Sequence, residues 1–323
     1  MNRIRLFASH ISHTPLHFIF RDSGVAEQYG FELEVDVARV KQEGRETREM
    51  SDRAPGLLSG EYQFVSGLHH EPYVYRARGD KRLVYLAQTQ NEWDDRMIAR
   101  PEIREPKQLE GRKVLTSRAP CVGGNLMKVL AHAGVDISKV DFVISPRGAM
   151  RGPKVTLEQV ARGEVAAANV DMPFDLQAKK LGLNVLELPS LPVIHNTTIC
   201  ASTDFVYRNE ETVVAFLKAL IAAIHFFKTR KDKVCEILSA KLAPIIGIQA
   251  DDEIEYLHEQ WSRLLLIKPY PHPLAVWNVY DLDVAHDPKI NFIGPFEPWD
   301  THYLRAIDDS GFIEEVQKGQ GQS

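Results

Sequence analysis

Cysteine is scarce. Cys121, Cys200 and Cys235 are the only three in 323 residues, they lie far apart, and none shares a CxxC spacing. Such a set argues against a disulfide framework and against a structural zinc site. Positive charge is in short supply too: 39 Lys and Arg face 44 Asp and Glu, for a formal net charge of −5. With no basic stripe to offset that balance, a nucleic-acid partner is not expected. No stretch approaches about 18 uninterrupted apolar residues, so no membrane span is expected. The opening "MNRIRLFAS" enters a strand-like run at once. It lacks the apolar region and small-residue cleavage site of a secretory signal. The expectation is a cytoplasmic protein, or a periplasmic one if the start has been trimmed. A GxSxG elbow, a P-loop and a strand–GxGxxG–helix fingerprint are all missing, which leaves serine hydrolase, NTPase and dinucleotide enzyme without support.

What is present is an ordinary globular composition, 44% hydrophobic and 26% charged, in a chain long enough for one large domain or two. Strand and helix patterns alternate over the first 200 residues. "IRLFA" (4–8), "FELEVDVA" (31–38), "YQFVSG" (62–67), "KRLVYLAQT" (81–89) and "DRMIAR" (95–100) read as strands. The spacing predicts helices over 15–27 and from 71 onward, and one around 46–60 that Pro55 must break or kink. The alternation restarts at "KVLT" (113–116) and continues through strands over 140–145, the end of 155–171, the end of 174–188, and 193–202. The last third reads as one long helix over 209–243, another over 251–266, a proline- and aromatic-rich segment over 269–300, and a final helix over about 300–318. Alternating strands and helices imply an α/β class with covered sheets. Two such runs imply two lobes with a ligand cleft between them. The expected division is 1–94 with 197–323 as lobe I, and 95–196 as lobe II.

Ligands of open α/β sheets bind where strands end and helices begin. The loops at those places supply the candidates. Ser9, His10, Ser12, His13 and Thr14 follow the first strand. Gly67, His69, His70 and Glu71 follow "YQFVSG". Ser117, Arg118, Cys121, Gly123 and Gly124 follow "KVLT", Asp171 follows "AAANV", and His195 lies on the return strand. "TSRAPCVGG" reads as an anion site, with Arg118 able to grip a carboxylate or sulfonate through two parallel hydrogen bonds; its bland alternative is an ordinary capped loop. His10, His13, His69 and His70 are the candidates for proton transfer, because imidazole titrates near neutral pH. A metal held by several imidazoles can be drawn, but Pro15 puts a helix start near residue 14 and leaves His10 and His13 in a loop; no metal and no cofactor is expected. His17 reads as a packed helix residue, Asp175 as solvent-facing, and Cys121 as a buried thiol rather than a nucleophile. Trp93, Trp277 and Trp299 could wall an aromatic pocket or simply serve as core.

Three segments carry a resemblance. "SGVAEQYGFELEV", "LEGRKVLTSRAPCVGGNLMKVLAHAGVD" and "TLEQVARGEVAAANVDMPFDLQAKKLG" resemble corresponding stretches of type II solute-binding proteins, nearest to those for alkanesulfonates, nitrate and thiamine-pyrimidine precursors. The likeness covers about residues 1 to 230. It implies a two-lobed fold with a helical C-terminal region that captures a small organic anion. The same superfamily includes signal-less enzymes, among them dihydroxyphthalate decarboxylase-like proteins and a sulfinate desulfinase whose first loop holds a catalytic cysteine. Here that loop reads "SHISHT", so that nucleophile does not carry over.

Two functions follow as expectations. One is a cytoplasmic lyase, decarboxylase-like, on a small and possibly aromatic organic acid. The alternative is a solute-binding protein of an ABC importer for an organic anion or thiamine-precursor-like ligand, without catalysis. A ligand sensor is a third. A homo-oligomer is compatible with the sequence.

Overall fold

The computed structural model describes residues 2–41, 47–117, 120–144, 153–194 and 197–319. Its strands are β1 (Asn2–Ala8), β2 (Phe31–Val37), β3 (Phe64–Ser66), β4 (Leu83–Gln88), β5 (Arg96–Ala99), β6 (Lys113–Thr116), β7 (Asp141–Ile144), β8 (Ala167–Val170), β9 (Asn184–Leu186) and β10 (Thr198–Ser202). They form two five-stranded sheets, ordered β2-β1-β3-β10-β4 and β7-β6-β8-β5-β9. The chain divides into two units, Met1–Asn91 with Ile194–Ser323, and Glu92–Val193. The class is α/β, as the alternation of patterns implies.

In the first unit, β1 pairs in parallel with β2 and β3, while β10 runs antiparallel between β3 and β4. In the second, β6 pairs in parallel with β7 and β8, while β5 runs antiparallel between β8 and β9. Each antiparallel strand is the first one formed after the chain enters or re-enters its unit. The remaining strands of each sheet share one direction, so their carboxyl ends lie along one edge.

Alternate residues of β3 show how the first sheet is covered. Phe64 faces the helices Pro15–Asp22 and Glu210–Thr229: it stacks on Phe216 with ring centroids 3.7 Å apart, and Phe20 packs 5.3 Å from Phe216. Val65 faces the other way, into a cluster with Phe7, Leu57, Tyr62, Tyr73, Tyr85 and Tyr280. Successive side chains of a strand point to opposite faces, so a strand buried on both needs apolar residues at both. Helix Glu210–Thr229 is long and apolar enough by composition to cross a membrane, but half of that stretch is buried against the rest of the unit. In the second sheet, Leu126, Val129, Leu130, Leu157, Val160 and Phe174 of three helices supply the cover.

Several local expectations are corrected. Pro55 breaks nothing: the helix Arg53–Ser59 starts two residues before it, and a first-turn proline gives up an N–H that has no intrahelical partner anyway. The long helix over 209–243 is two helices, Glu210–Thr229 and Lys231–Lys241, broken at Arg230. The proline-rich segment contains the helix Pro273–His286, with Pro273 at its first position and His272 capping it. The last helix is also two, Phe312–Gln317 being entered through Gly311 at φ 81°, a left-handed conformation that favours glycine. Asp175 is buried, at 1% exposure, because the helix Phe174–Lys180 turns it toward Arg96, 3.8 Å away.

Candidate functional site

The carboxyl edge of the first sheet gathers most of the candidate residues. β1 and β3 are parallel neighbours in the register Ala8–Ser66, so the loop of Ser9, His10, Ser12, His13 and Thr14 and the turn of Gly67, His69, His70 and Glu71 leave the sheet side by side. Their polar groups fall into two sets.

Ser9 belongs to the first, which fastens the edge. Its N–H reaches Ser66 O at 3.0 Å, and its hydroxyl is shared between Ser66 O at 2.8 Å and Gly67 O at 2.9 Å. Arg53, from the helix Arg53–Ser59, donates from Nη1 to Ser9 Oγ at 3.1 Å and to Gly67 O at 2.9 Å, and its Nη2 pairs with Glu71. Gly67 itself, at φ 91°, donates its N–H to Thr198 O at 3.0 Å. Thr14 is wholly buried and donates its hydroxyl to Ile11 O at 2.6 Å. The polar groups of Ser9, Gly67 and Glu71 tie the two loops to each other, to the sheet and to Arg53, while the Thr14 hydroxyl closes a turn within its own loop. Arg53 escaped the sequence reading because nothing in its segment marks it as facing inward. Replacing it with methionine removes a cation that holds a carboxylate, a hydroxyl and a carbonyl. We expect Arg53→Met to cost about 2 kcal/mol in urea unfolding. Arg53→Met with Glu71→Gln should lose less than the two single losses added together. A loss under about 0.5 kcal/mol would mark the junction as inconsequential.

The imidazoles form the second set. His10 accepts from Ser12 N–H at 3.4 Å and sits 2.6 Å from Ser12 Oγ, both through Nδ1. A ring nitrogen that accepts is unprotonated in the neutral ring, so neutral His10 carries its hydrogen on Nε2. His13 is 5% exposed, and its ring lies 5.6 Å from that of His10. His69 is 2% exposed and lies 4.1 Å from His70, ring centroid to ring centroid.

His70 has the most informative partner. Its Nδ1 lies 2.5 Å from Oδ1 of Asp283, a residue 4% exposed on the helix Pro273–His286. A carboxylate at that position accepts the Nδ1 hydrogen and fixes the tautomer, so that Nε2 is the accepting nitrogen of the neutral ring. The turn carrying this ring rests on aromatics: Tyr85 donates its hydroxyl to His69 O at 2.6 Å, and Tyr73 packs between Tyr85 and Tyr280, 5.8 and 5.7 Å away. Burial raises the Tyr73 and Tyr85 hydroxyls well above the usual phenol range, so they remain donors. Asp283 was missed by sequence reasoning, yet a signal was there. Val276, Val279, Tyr280 and Asp283 fall at i, i+3, i+4 and i+7, and an acid on an apolar helical stripe is a carboxylate sent into the core.

His17, four residues beyond His13, is not part of this set. It is fully buried in the helix Pro15–Asp22, and burial pushes its pKa down to about 4. Neither of its ring nitrogens has a hydrogen-bond partner among the described residues.

In the second unit, Ser117, Cys121, Gly123, Gly124 and Asp171 follow the parallel strands β6 and β8 and so share that sheet's carboxyl edge. Arg118 and His195 lie outside the described residues. Gly123 is required by space: a Cβ there would lie 2.1 Å from Ser117 O, so the loop folds back on itself at this point. Asn125 donates to Cys121 O at 2.7 Å, and Cys121 is half-buried rather than buried. Of the three tryptophans, Trp93 is buried, Trp277 is 45% exposed, and Trp299 packs 4.6 Å from Tyr85.

A family model described as "NMT1/THI5 like" matches residues 35–233, well over half of the chain. No curated protein matches it. Solved structures with the same fold include the putative periplasmic sulfonate-binding protein SsuA of Methylobacillus flagellatus KT (14% identical, 97% of this chain and 96% of that one covered, TM-score 0.67). They include the periplasmic aliphatic sulphonate-binding protein SsuA of Escherichia coli (13%, 91% and 89%, TM-score 0.62). They also include a mutant of the enzyme DSZB in complex with biphenyl-2-sulfinic acid (12%, 96% and 100%, TM-score 0.63). At these identities the likeness establishes a periplasmic-binding-protein-like fold, in agreement with the resemblance read from the sequence.

Proposed function

The chain belongs to the NMT1/THI5-like family, and from that premise we propose that it is a lyase acting on a small organic acid, with His70 as its proton carrier. The observation that supports this reading is the buried Asp283 carboxylate on Nδ1 of His70. A surface that only holds an anion has no need of a carboxylate behind its imidazole, since that carboxylate adds negative charge beside a negative guest. A proton carrier gains from it, because the carboxylate orients the ring and stabilises its charged form at the moment of transfer.

In a decarboxylation the step balances as follows. The imidazolium gives its Nε2 proton to the carbon that bears the carboxylate. The bond from that carbon to the carboxyl group breaks, its electron pair stays with the carbon, and CO2 leaves neutral. His70 is then recharged from solvent. His10, His13 and His69 lie on the same sheet edge and would meet the acid's oxygens.

The second reading is a solute-binding protein for an organic anion, favoured by the sulfonate-binding neighbours that span almost the full chain. Calorimetry with butanesulfonate, benzoate and 4,5-dihydroxyphthalate, each followed by a CO2 assay, separates the two. The lyase reading expects a carboxylate to bind and to release CO2, and His70→Asn to stop the release. Saturable binding of any of these with no CO2 from any carboxylate would favour the binding protein.

A further inference from the structure

We propose that the first unit carries a second ligand site, for a small organic anion with a short apolar part, where the ends of the helices Glu210–Thr229 and Phe312–Gln317 meet the helix Val25–Gln28. A cavity of about 390 Å³ opens there, within the range of pockets that hold small molecules. It shares no element with the Asp283–His70 pair, so this inference does not depend on the lyase reading.

The lining has two characters. Val25 and Val316 are buried and, with the half-buried Phe226, give the cavity an apolar wall. Arg230 and Lys318 give it two cations, and none of its lining residues is acidic. Neither cation has a carboxylate partner among the described residues. Two nearby carboxylates are held by other cations: Lys268 holds Glu314, and Lys231 holds Glu255. Burial and the Arg230 charge together hold His225, also on the lining, toward its neutral form, so the guanidinium field reaches into the cavity.

Arg230 and Lys318 are the residues that cap the two helices. Cations at helix C-termini already have one task, because the exposed carbonyls there amount to about half a negative charge per helix. Two full positive charges outweigh those two halves, and Arg230 also stands at the positive N-terminus of the helix Lys231–Lys241. That excess beside an apolar wall suits a monoanion with a hydrocarbon portion, and the Arg230 fork can take both oxygens of a carboxylate.

The test uses the full chain and three probes: hexanoate, hexanol and inorganic phosphate, followed by calorimetry. Hexanoate should bind, and binding should persist in His70→Asn, which leaves this cavity intact. Arg230→Gln with Lys318→Gln should weaken hexanoate at least fivefold, and Ala222→Leu, which fills the apolar side, should do the same, with both variants unfolding at the wild-type temperature. Hexanol binding as tightly as hexanoate would overturn the anion requirement. Phosphate binding as tightly would overturn the apolar one. Hexanoate affinity that falls in His70→Asn but not in the cavity variants would overturn the site itself.

Discussion

Asp283→Ala is expected to lower turnover of a productive acid about a thousandfold while changing its affinity by no more than about threefold. Among the described residues the carboxylate's hydrogen bond is to Nδ1 of His70, on the opposite side of the ring from Nε2. Removing the carboxylate leaves the imidazole in place but releases its tautomer and withdraws the charge that stabilises the imidazolium, and the thousandfold corresponds to about 4 kcal/mol of transition-state stabilisation. The split between kcat and KM is the informative readout. A residue that merely supports the fold would disturb both, along with the unfolding temperature. His70→Asn should fall as far as Asp283→Ala, and the double variant should fall no further, because two groups that act as a unit are not additive. If Asp283→Ala keeps kcat within threefold of wild type, His70 is not the proton carrier, and the binding-protein reading gains.

The strands were legible because each is short, β-branched or aromatic, and bounded by glycine or a polar turn. "FELEVDV" and "KVLT" fall on β2 and β6 almost to the residue. Legible for the same reason was the position of the histidine loops: a residue that follows a strand in an α/β run sits at the sheet's carboxyl edge. The partners of those histidines were not. Asp283 is 213 residues from His70 and Arg53 is 44 from Ser9, and no local pattern can pair residues across such separations. The helix breaks at Arg230 and Gly311 were also hidden, since an apolar period that continues across a break looks the same as one unbroken helix. Ser9 follows β1 by sequence position, and the sequence does not show that its hydroxyl is shared between the carbonyls of Ser66 and Gly67. Position alone does not separate a residue that builds a site from one that contacts its guest.

Below pH 6.5 the wild-type chain should lose stability that His17→Met retains. His17 titrates near its ordinary value of 6.5 in the unfolded chain and near 4 in the folded one. Above pH 6.5 the ring is neutral in both states and pH has no hold on it. Between 6.5 and 4 the unfolded chain binds a proton that the folded chain refuses, so acid favours unfolding. The penalty grows to about 2 kcal/mol at pH 5 and about 3 kcal/mol at pH 4, then levels off as the folded ring also charges. Methionine fills a similar volume, adapts to the space and carries no titratable group. At pH 7.5, His17→Met should be as stable as wild type or about 1 kcal/mol more so, because two buried ring nitrogens without partners are removed. Urea unfolding at intervals from pH 7.5 to pH 4 checks this directly. Carboxylates elsewhere lower both curves alike, so the difference between them isolates His17. Parallel curves would mean that the ring has reached a proton partner or water, and that the helix Pro15–Asp22 does not seal it from solvent.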